Sequence, residues 1–214
     1  MFFQKDYILR MIEMMGDLMR RIKELISDLQ RIKLLEDACR MHCGISLETA
    51  ETLTLESLIR LLPSVPRLMA SEILYIKADS FTLPQEEREA LLHKSLHLLA
   101  TLWEEGPLCE VRAERMTAMK DTLLPRLSPA ELMNIARFMG EAERYGDMED
   151  ALFQGLERMP PGPERETFAQ EGADMLLQAA SASSEALAFA RCTKEELRIS
   201  AEELMSLFGA GGAD

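Results

Sequence analysis

Cysteine and histidine are the side chains of this sequence whose spacing could bind a metal ion. Cys39, His42 and Cys43 lie at positions i, i+3 and i+4, so on an α-helix all three face one side. Thiolate and imidazole suit zinc, and a fourth ligand could come from elsewhere in the chain. Structural zinc sites usually pair two cysteines across a turn, which this spacing does not do. The competing interpretation is a helix end with packed cysteines, where His42 favours the helix dipole.

A second pair of histidines, His93 and His97, has the i, i+4 spacing with which two imidazoles can share a metal ion. Glu86 and Glu104 fall on the same strip of the predicted helix. That strip lies beside the apolar face from Leu92 to Trp103, which predicts solvated side chains. No His-Glu-x-x-His motif supports a metal site here. We therefore predict no metal and no cofactor, and keep a metal-dependent enzyme as an alternative.

Catalytic motifs are absent from the rest of the sequence. It contains no Gly-x-Gly-x-x-Gly motif, no phosphate-binding loop and no Gly-x-Ser-x-Gly nucleophile motif. Asp and Glu together number 37, so pairs of carboxylates are too frequent to identify a general acid and base. We predict a non-enzymatic protein whose function is interaction with other proteins or scaffolding.

The main element of the sequence is its first stretch, residues 6 to about 41. Apolar residues recur there in alternating steps of three and four, the heptad spacing with which helices bind one another. Together these residues, here called the heptad seam, are Ile8, Met11, Met15, Leu18, Ile22, Leu25, Leu29 and Ile32. The seam predicts a long amphipathic helix over residues 1–43 that forms a coiled coil in a homodimer or binds a partner protein. Packing of this helix on the body of its own chain remains an alternative.

Composition indicates an all-α fold. Leu, Ala, Met and Glu dominate, and Val occurs only at Val65 and Val111. Breaks in the helical pattern predict antiparallel helix pairs over a body at 44–208, arranged as a tetratricopeptide-like or irregular array. The predicted helix-end signals are Gly44 after the first helix, Ser46 and Thr54 at the starts of two short helices, and a capping box of Ser128 and Glu131. A sub-boundary is predicted at 160–163, where three prolines and a glycine predict either a linker or a tight corner. A disordered tail is predicted over 209–214.

Charge is distributed unevenly along the chain. The net charge is −13, but residues 1–33 contain seven Lys and Arg against five Asp and Glu, so this segment carries +2 and the remainder −15. An acidic body argues against binding nucleic acid, which requires clustered cations. It favours a basic partner, or serves solubility alone.

Membrane association and location can also be considered from the sequence. A basic amphipathic N-terminal helix that includes Phe2 and Phe3 could lie on anionic lipid, although its five acids weaken that attraction. No run of 18 apolar residues occurs, the four cysteines have no disulfide-framework spacing, and we expect no secretory leader. A reduced, cytoplasmic protein is the expectation.

Two resemblances to known families add to these predictions. The segment from Tyr145 to Leu152 resembles the turn and second-helix start of a tetratricopeptide repeat, with Gly146 in the turn, Ala151 as the small contact residue and Pro160 at the end of the unit. This resemblance covers roughly residues 132–160 and implies one helix pair of the tetratricopeptide kind.

The whole chain, and its opening in particular, is similar to a bacterial family known only as a domain of unknown function. The similarity is carried most clearly by the eleven residues from Phe2 to Ile12. It implies a bacterial cytosolic helical protein and implies no activity.

Overall fold

A computed structural model describes the backbone of residues 2–209 and the side chains of residues 6–207. Within this part of the chain there are twelve α-helices and no β-strand, which confirms the all-α prediction. The helices are α1 (Phe2–Glu24), α2 (Asp28–Cys43), α3 (Leu47–Thr52), α4 (Leu55–Leu61), α5 (Ser64–Ser80), α6 (Gln85–Ala100), α7 (Gly106–Leu123), α8 (Pro129–Glu141), α9 (Tyr145–Glu157), α10 (Pro163–Ala180), α11 (Ser184–Ala190) and α12 (Lys194–Gly209). The tail predicted to be disordered, 209–214, lies outside the described residues except for Gly209.

The helices group into two compact units. Unit 1 contains Met1–Leu102 and Ala118–Leu123, and unit 2 contains Trp103–Thr117 and Leu124–Asp214. This grouping differs from the predicted division into an N-terminal helix, 1–43, and one body, 44–208. The first two helices belong to the same compact unit as α3 to α6.

The predicted continuous helix over 1–43 is wrong, because α1 ends at Glu24 and α2 begins at Asp28. Ser27 has an extended backbone, and its carbonyl accepts hydrogen bonds from the amides of Gln30 and Arg31. The Arg31 guanidinium donates through Nε to the Leu25 carbonyl at 2.8 Å. Ser27 is therefore the N-cap of α2 through its extended backbone and its carbonyl, without a cap hydrogen bond from its side chain.

The break allows both helices to bury an apolar face against α5. Ile22 on α1 and Leu35 on α2 are fully buried, and both helices pack on α5. At 3.6 residues per turn, a continuous helix would place these two side chains roughly 140° apart. A straight helix could not turn both toward one neighbour, so the change of direction at residues 25–27 satisfies both contacts.

Unit 1 is built around α5, which packs against α1, α2, α3 and α6. Small side chains allow α5 and α6 to approach closely. The Ser71 hydroxyl donates to the Ser95 carbonyl at 2.8 Å, and the Ser95 hydroxyl donates to the Ser71 carbonyl at 2.9 Å. The short helices begin as predicted, because Ser46 and Thr54 accept hydrogen bonds from backbone amides in the first turns of α3 and α4.

Unit 2 contains the helix pair α8–α9. The two helices are joined by three residues and pack together, which makes them antiparallel. The predicted capping box of Ser128 and Glu131 is confirmed. The predicted turn at Gly146 is wrong, since Gly146 lies inside α9 and the turn falls at residues 142–144, where Glu143 has φ 54°. Whether the helices stack as tetratricopeptide repeats do stays a prediction.

Two glycines bring the helices of unit 2 into close contact. A Cβ on Gly155 of α9 would overlap the ring of Phe168 on α10, and one on Gly172 would lie 2.7 Å from Leu204 of α12. Only a residue without a side chain permits these approaches. The segment Pro160–Pro163 joins α9 to α10, which pack on each other within unit 2, so it is a corner.

Candidate functional site

The break between α1 and α2 carries an exposed apolar surface on unit 1. Ile26 is 98% exposed, Leu29 is 78% exposed and Ile32 is 44% exposed. We call these three residues the N-terminal patch. Leu29 and Ile32 are three residues apart on α2 and therefore lie on the same face. The patch contains the last two residues of the predicted heptad seam together with Ile26, which follows Leu25 of the seam.

The earlier part of the heptad seam is buried inside unit 1. Ile8, Met15, Leu18 and Ile22 are covered, and α1 packs on α5. Met11 and Leu25 are half-buried. The predicted interaction surface is therefore divided between residues that stabilise the chain itself and the residues of the N-terminal patch.

A shallow cleft of about 360 Å³ lies beside the α1–α2 break. Its charged lining is mixed, with Arg21 and Lys33 against Glu24 and Asp37, and Leu25 is one of its apolar walls. Both signs of charge therefore lie close to the patch. Such a surface can be complementary to itself.

The cysteine–histidine cluster on α2 is placed as a packed helix end. The side chains of Cys39 and Cys43 are buried and hydrogen-bonded to each other, and His42 is half-buried in the last turn. The shared hydrogen bond, and then burial, raise the pKa of the Cys43 thiol far above its usual range. A thiol that resists deprotonation is a poor metal ligand.

The histidine pair on α6 is half-buried rather than solvated. His93 and His97 both make interactions with neighbouring groups. Glu104 does not share their helix strip, because α6 ends at Ala100. Among the described residues, no group of three or more His, Cys, Asp or Glu side chains is positioned to hold a metal ion.

The remaining cysteines are not activated nucleophiles. Burial first, and then the negative charge of Glu141, raise the pKa of the Cys109 thiol. Burial likewise raises the pKa of Cys192, with Glu196 as the next cause. Both thiols are therefore protonated near neutral pH, and a thiol is a much weaker nucleophile than a thiolate.

Unit 2 contains a deeper cleft of about 430 Å³, here called the Trp103 cleft. Its walls come from the turn before α7, the end of α8, the start of α9 and the second half of α10. The lining residues used below are Trp103, Arg137, Glu141, Tyr145, Glu171 and Met175. Volumes of this size fall in the range of ligand pockets.

One guanidinium is already bound within the Trp103 cleft. The Arg137 guanidinium carbon lies 5.7 Å from the centroid of the Trp103 ring, which is a cation–π distance. Its Nε donates to the Glu171 carboxylate at 3.1 Å, and a terminal nitrogen donates to Asn134 at 2.9 Å. The cation of the cleft is thus fully engaged by its own neighbours.

Two polar groups of the same cleft are not engaged. The carboxylate of Glu141, the last residue of α8, is exposed and makes no hydrogen bond or ion pair with the described residues. Tyr145 is only 6% exposed as a whole, but its hydroxyl, which makes no hydrogen bond with the described residues, is not one of their buried unpartnered atoms and therefore reaches the cleft surface. Burial, followed by the negative charge of Glu143, raises the pKa of Tyr145. The hydroxyl therefore stays protonated at neutral pH.

The two units differ sharply in charge. Unit 1 contains 14 Lys and Arg against 16 Asp and Glu, a net charge of −2. Unit 2 contains 10 Lys and Arg against 21 Asp and Glu, a net charge of −11. The Trp103 cleft therefore lies in the part of the chain that attracts cations most strongly.

The sequence did not identify the Trp103 cleft. Arg137 and Glu171 are 34 residues apart on different helices, and no spacing rule connects them. Trp103 is the single tryptophan and stands before the Gly106-Pro107 break, which is the one available signal. A lone aromatic residue at a helix end is a frequent surface feature and predicts no site by itself.

None of the helices in residues 2–209 has the length and apolar composition required to cross a membrane. Comparison of the chain with protein-family models, with curated proteins and with solved structures yields no match.

Proposed function

We propose that this chain is a non-enzymatic interaction protein that associates with a second copy of itself through the N-terminal patch. The observation that carries the proposal is the exposure of Ile26 at the α1–α2 break and of Leu29 and Ile32 on one face of α2. Three aliphatic side chains in water form an apolar surface on the order of a few hundred Å², the size at which surface patches are often functional.

A second copy is the occupant that the charges favour. The cleft beside the patch contains Arg21 and Lys33 together with Glu24 and Asp37. In a two-fold interface each surface meets itself, so acids and bases on one surface can pair reciprocally with those of the partner. The net charge of −2 on unit 1 also adds little repulsion between copies.

The size of the patch sets the strength of this association. A stable interface buries about 800 Å² on each partner, which is more than three side chains provide. The buried part of the heptad seam contributes nothing further while α1 stays packed on α5. We therefore propose a weak, concentration-dependent homodimer instead of a coiled coil along the whole seam.

The test compares Leu29→Asp with Met41→Asp. Both residues lie on α2, and Met41 is 76% exposed, so the two changes are alike in chemistry and exposure. The positions are 12 residues apart, which places them about 120° apart around the helix. Only the first change puts a charge into the proposed interface, where an unpaired charge is costly.

The measurement is the mass by sedimentation equilibrium between about 1 µM and about 1 mM protein, which covers weak dissociation constants. The unchanged protein and Met41→Asp should rise from 24.2 kDa toward twice that mass, while Leu29→Asp should stay at 24.2 kDa. Circular dichroism checks that both variants remain helical. A constant mass for the unchanged protein, or equal behaviour of the two variants, would overturn the proposal.

A further inference from the structure

We infer that the Trp103 cleft of unit 2 is a binding site for an arginine side chain of a peptide. This inference is independent of the self-association proposed for unit 1, because it concerns other residues in another compact unit. Four features of the cleft support it: its aromatic walls, its unengaged polar groups, its apolar lining and the charge of unit 2.

The aromatic walls match a planar cation. Trp103 and Tyr145 both line the cleft, and Trp103 already lies under the guanidinium of Arg137. Guanidinium groups stack on aromatic rings and bind carboxylates with two parallel hydrogen bonds, whereas an ammonium group acts as a point charge. The interaction within the chain therefore shows the chemistry that a second guanidinium would use.

The unengaged groups determine the sign of the ligand charge. Glu171 is paired with Arg137, but Glu141 has no ion pair with the described residues. An anionic ligand would have to displace Glu171 from Arg137, while a cationic ligand finds a free carboxylate. The Tyr145 hydroxyl, which reaches the cleft surface and has no partner among the described residues, supplies an acceptor for another N–H.

The apolar lining matches the stem of an arginine. Met148 and Met175 line the cleft, and thioether side chains adapt to irregular aliphatic groups. The last turn of α10 also contributes to the wall through Gln178 and Ala179. Because the C-terminal end of a helix carries partial negative charge, this position favours a cation as well.

A neighbouring cleft favours a peptide over a free polyamine. Tyr145 also lines a second cleft of about 600 Å³, with Asp150 and the exposed ring of Phe189 on its walls. A peptide that places an arginine side chain in the Trp103 cleft can therefore extend past Tyr145 to the acidic and apolar side chains of the second cleft. A polyamine has no apolar side chain to place against Phe189.

The fluorescence of Trp103 reports binding directly, since it is the only tryptophan. The probe is a blocked Gly-Arg-Gly tripeptide, titrated into the full chain and compared with the citrulline tripeptide, an uncharged isostere, and with spermidine. We expect a saturable change with the arginine probe and at least about fivefold weaker binding of the other two, since charge and planar geometry both contribute.

The variant that tests the site is Glu141→Gln, and its matched control is Glu157→Gln, an exposed glutamate of α9 that does not line the cleft. Both changes remove one negative charge. We expect Glu141→Gln to weaken binding of the arginine probe at least about fivefold, and Glu157→Gln by less than about twofold, because screening reduces distant charges. Circular dichroism confirms the fold of each variant.

Several results would overturn the inference. Equal loss of affinity in the two variants would show attraction by the net charge of unit 2 alone. Binding of the citrulline probe or of spermidine as strong as that of the arginine probe would refute recognition of an arginine side chain. The absence of any saturable change in Trp103 fluorescence with the arginine probe would refute the site itself.

Discussion

Unit 1 and unit 2 are both helical, but they differ in net charge and in the kind of candidate site that they contain. Unit 1 is nearly neutral and exposes the N-terminal patch, whereas unit 2 carries most of the negative charge and contains the Trp103 cleft. Copies of an acidic surface repel each other, while a neutral surface with an apolar patch does not. This difference is the reason for proposing self-association through unit 1 and cation binding in unit 2.

The two units also differ in how their helices are held together. In unit 1, the Lys94 ammonium donates to the carbonyls of Glu51 and Leu53 at the end of α3, the second at 2.7 Å. In unit 2, Gly155 and Gly172 allow side chains of one helix to touch the backbone of the next. Charged side chains can adjust their position, but a ring packed on a helix backbone cannot, so unit 2 should tolerate added volume poorly.

The largest effect should come from Gly155→Ala. Its new methyl group would overlap the buried Phe168 ring, and overpacking of this kind exceeds the ~1 kcal/mol that alanine gains over glycine in a helix. We expect a net loss of about 2 kcal/mol in the free energy of unfolding of unit 2, measured by urea denaturation.

The control for this change is Gly16→Ala in α1, where no atom lies within 4 Å of the added Cβ. There the helix propensity acts alone, and we expect a gain of up to about 1 kcal/mol. Destabilisation by both substitutions to the same extent would contradict the packing difference between the units.

Salt should separate the two proposed interactions. Raising NaCl from about 0.05 M to about 0.5 M should weaken binding of the arginine tripeptide to the Trp103 cleft roughly tenfold, since the attraction is electrostatic. The same change should weaken the dimerisation constant of the N-terminal patch much less, because burial of apolar surface does not depend on screening and only the charge pairs beside the patch are screened. Trp103 fluorescence and sedimentation equilibrium measure the two responses, and parallel weakening would contradict the assignment of an apolar patch.

A smaller effect is expected from Glu36→Gln in unit 1. The Glu36 carboxylate accepts a hydrogen bond from the Leu47 amide at 2.7 Å and another from Arg40, and these contacts, the amide first, lower its pKa. A lowered folded-state pKa stabilises the protein above the unfolded value of about 4.3, and this stabilisation is lost as the pH falls through the lower folded value. We expect a loss of about 1 kcal/mol at neutral pH that disappears in acid.

Glu56→Gln provides the comparison for Glu36→Gln. Glu56 also pairs with an arginine four residues on, Arg60, but both side chains of that pair are largely exposed and Glu56 has no bond to a backbone amide among the described contacts. Its replacement should change the urea midpoint little at any pH. An equal effect of the two replacements at neutral pH would show that the amide bond from Leu47 adds nothing.

Local signals predicted much of the fold. The serine and threonine caps of α3 and α4, the capping box that begins α8 and the glycine that ends α2 at Gly44 are where the sequence placed them. Each depends on a few neighbouring residues and on backbone preferences that hold in any protein. The start of α2 was missed because Ser27 and Asp28 interrupt a heptad pattern that continues through them.

The candidate sites were less accessible to such reasoning. The heptad seam identified apolar positions on α1 and α2, but the pattern does not state which neighbour covers each one. Glu143, not Gly146, makes the turn between α8 and α9, because the amide of Arg144 bonds to the Met139 carbonyl and stabilises a left-handed residue there. In both cases the outcome depends on particular contacts, and the spacing of residue types along the sequence does not specify those contacts.

The sequence by itself determined that the chain is helical, where most of its helices begin and end, and that its negative charge lies beyond the N-terminal segment. These properties follow from composition and from interactions within a few residues. Only the tertiary structure decided that Ile22 is covered while Leu29 is exposed, and that Arg137, Trp103 and Glu171 meet in one cleft. The physical reason is that burial and cation–π contacts depend on which helices become neighbours, and that choice minimises the free energy of each whole unit.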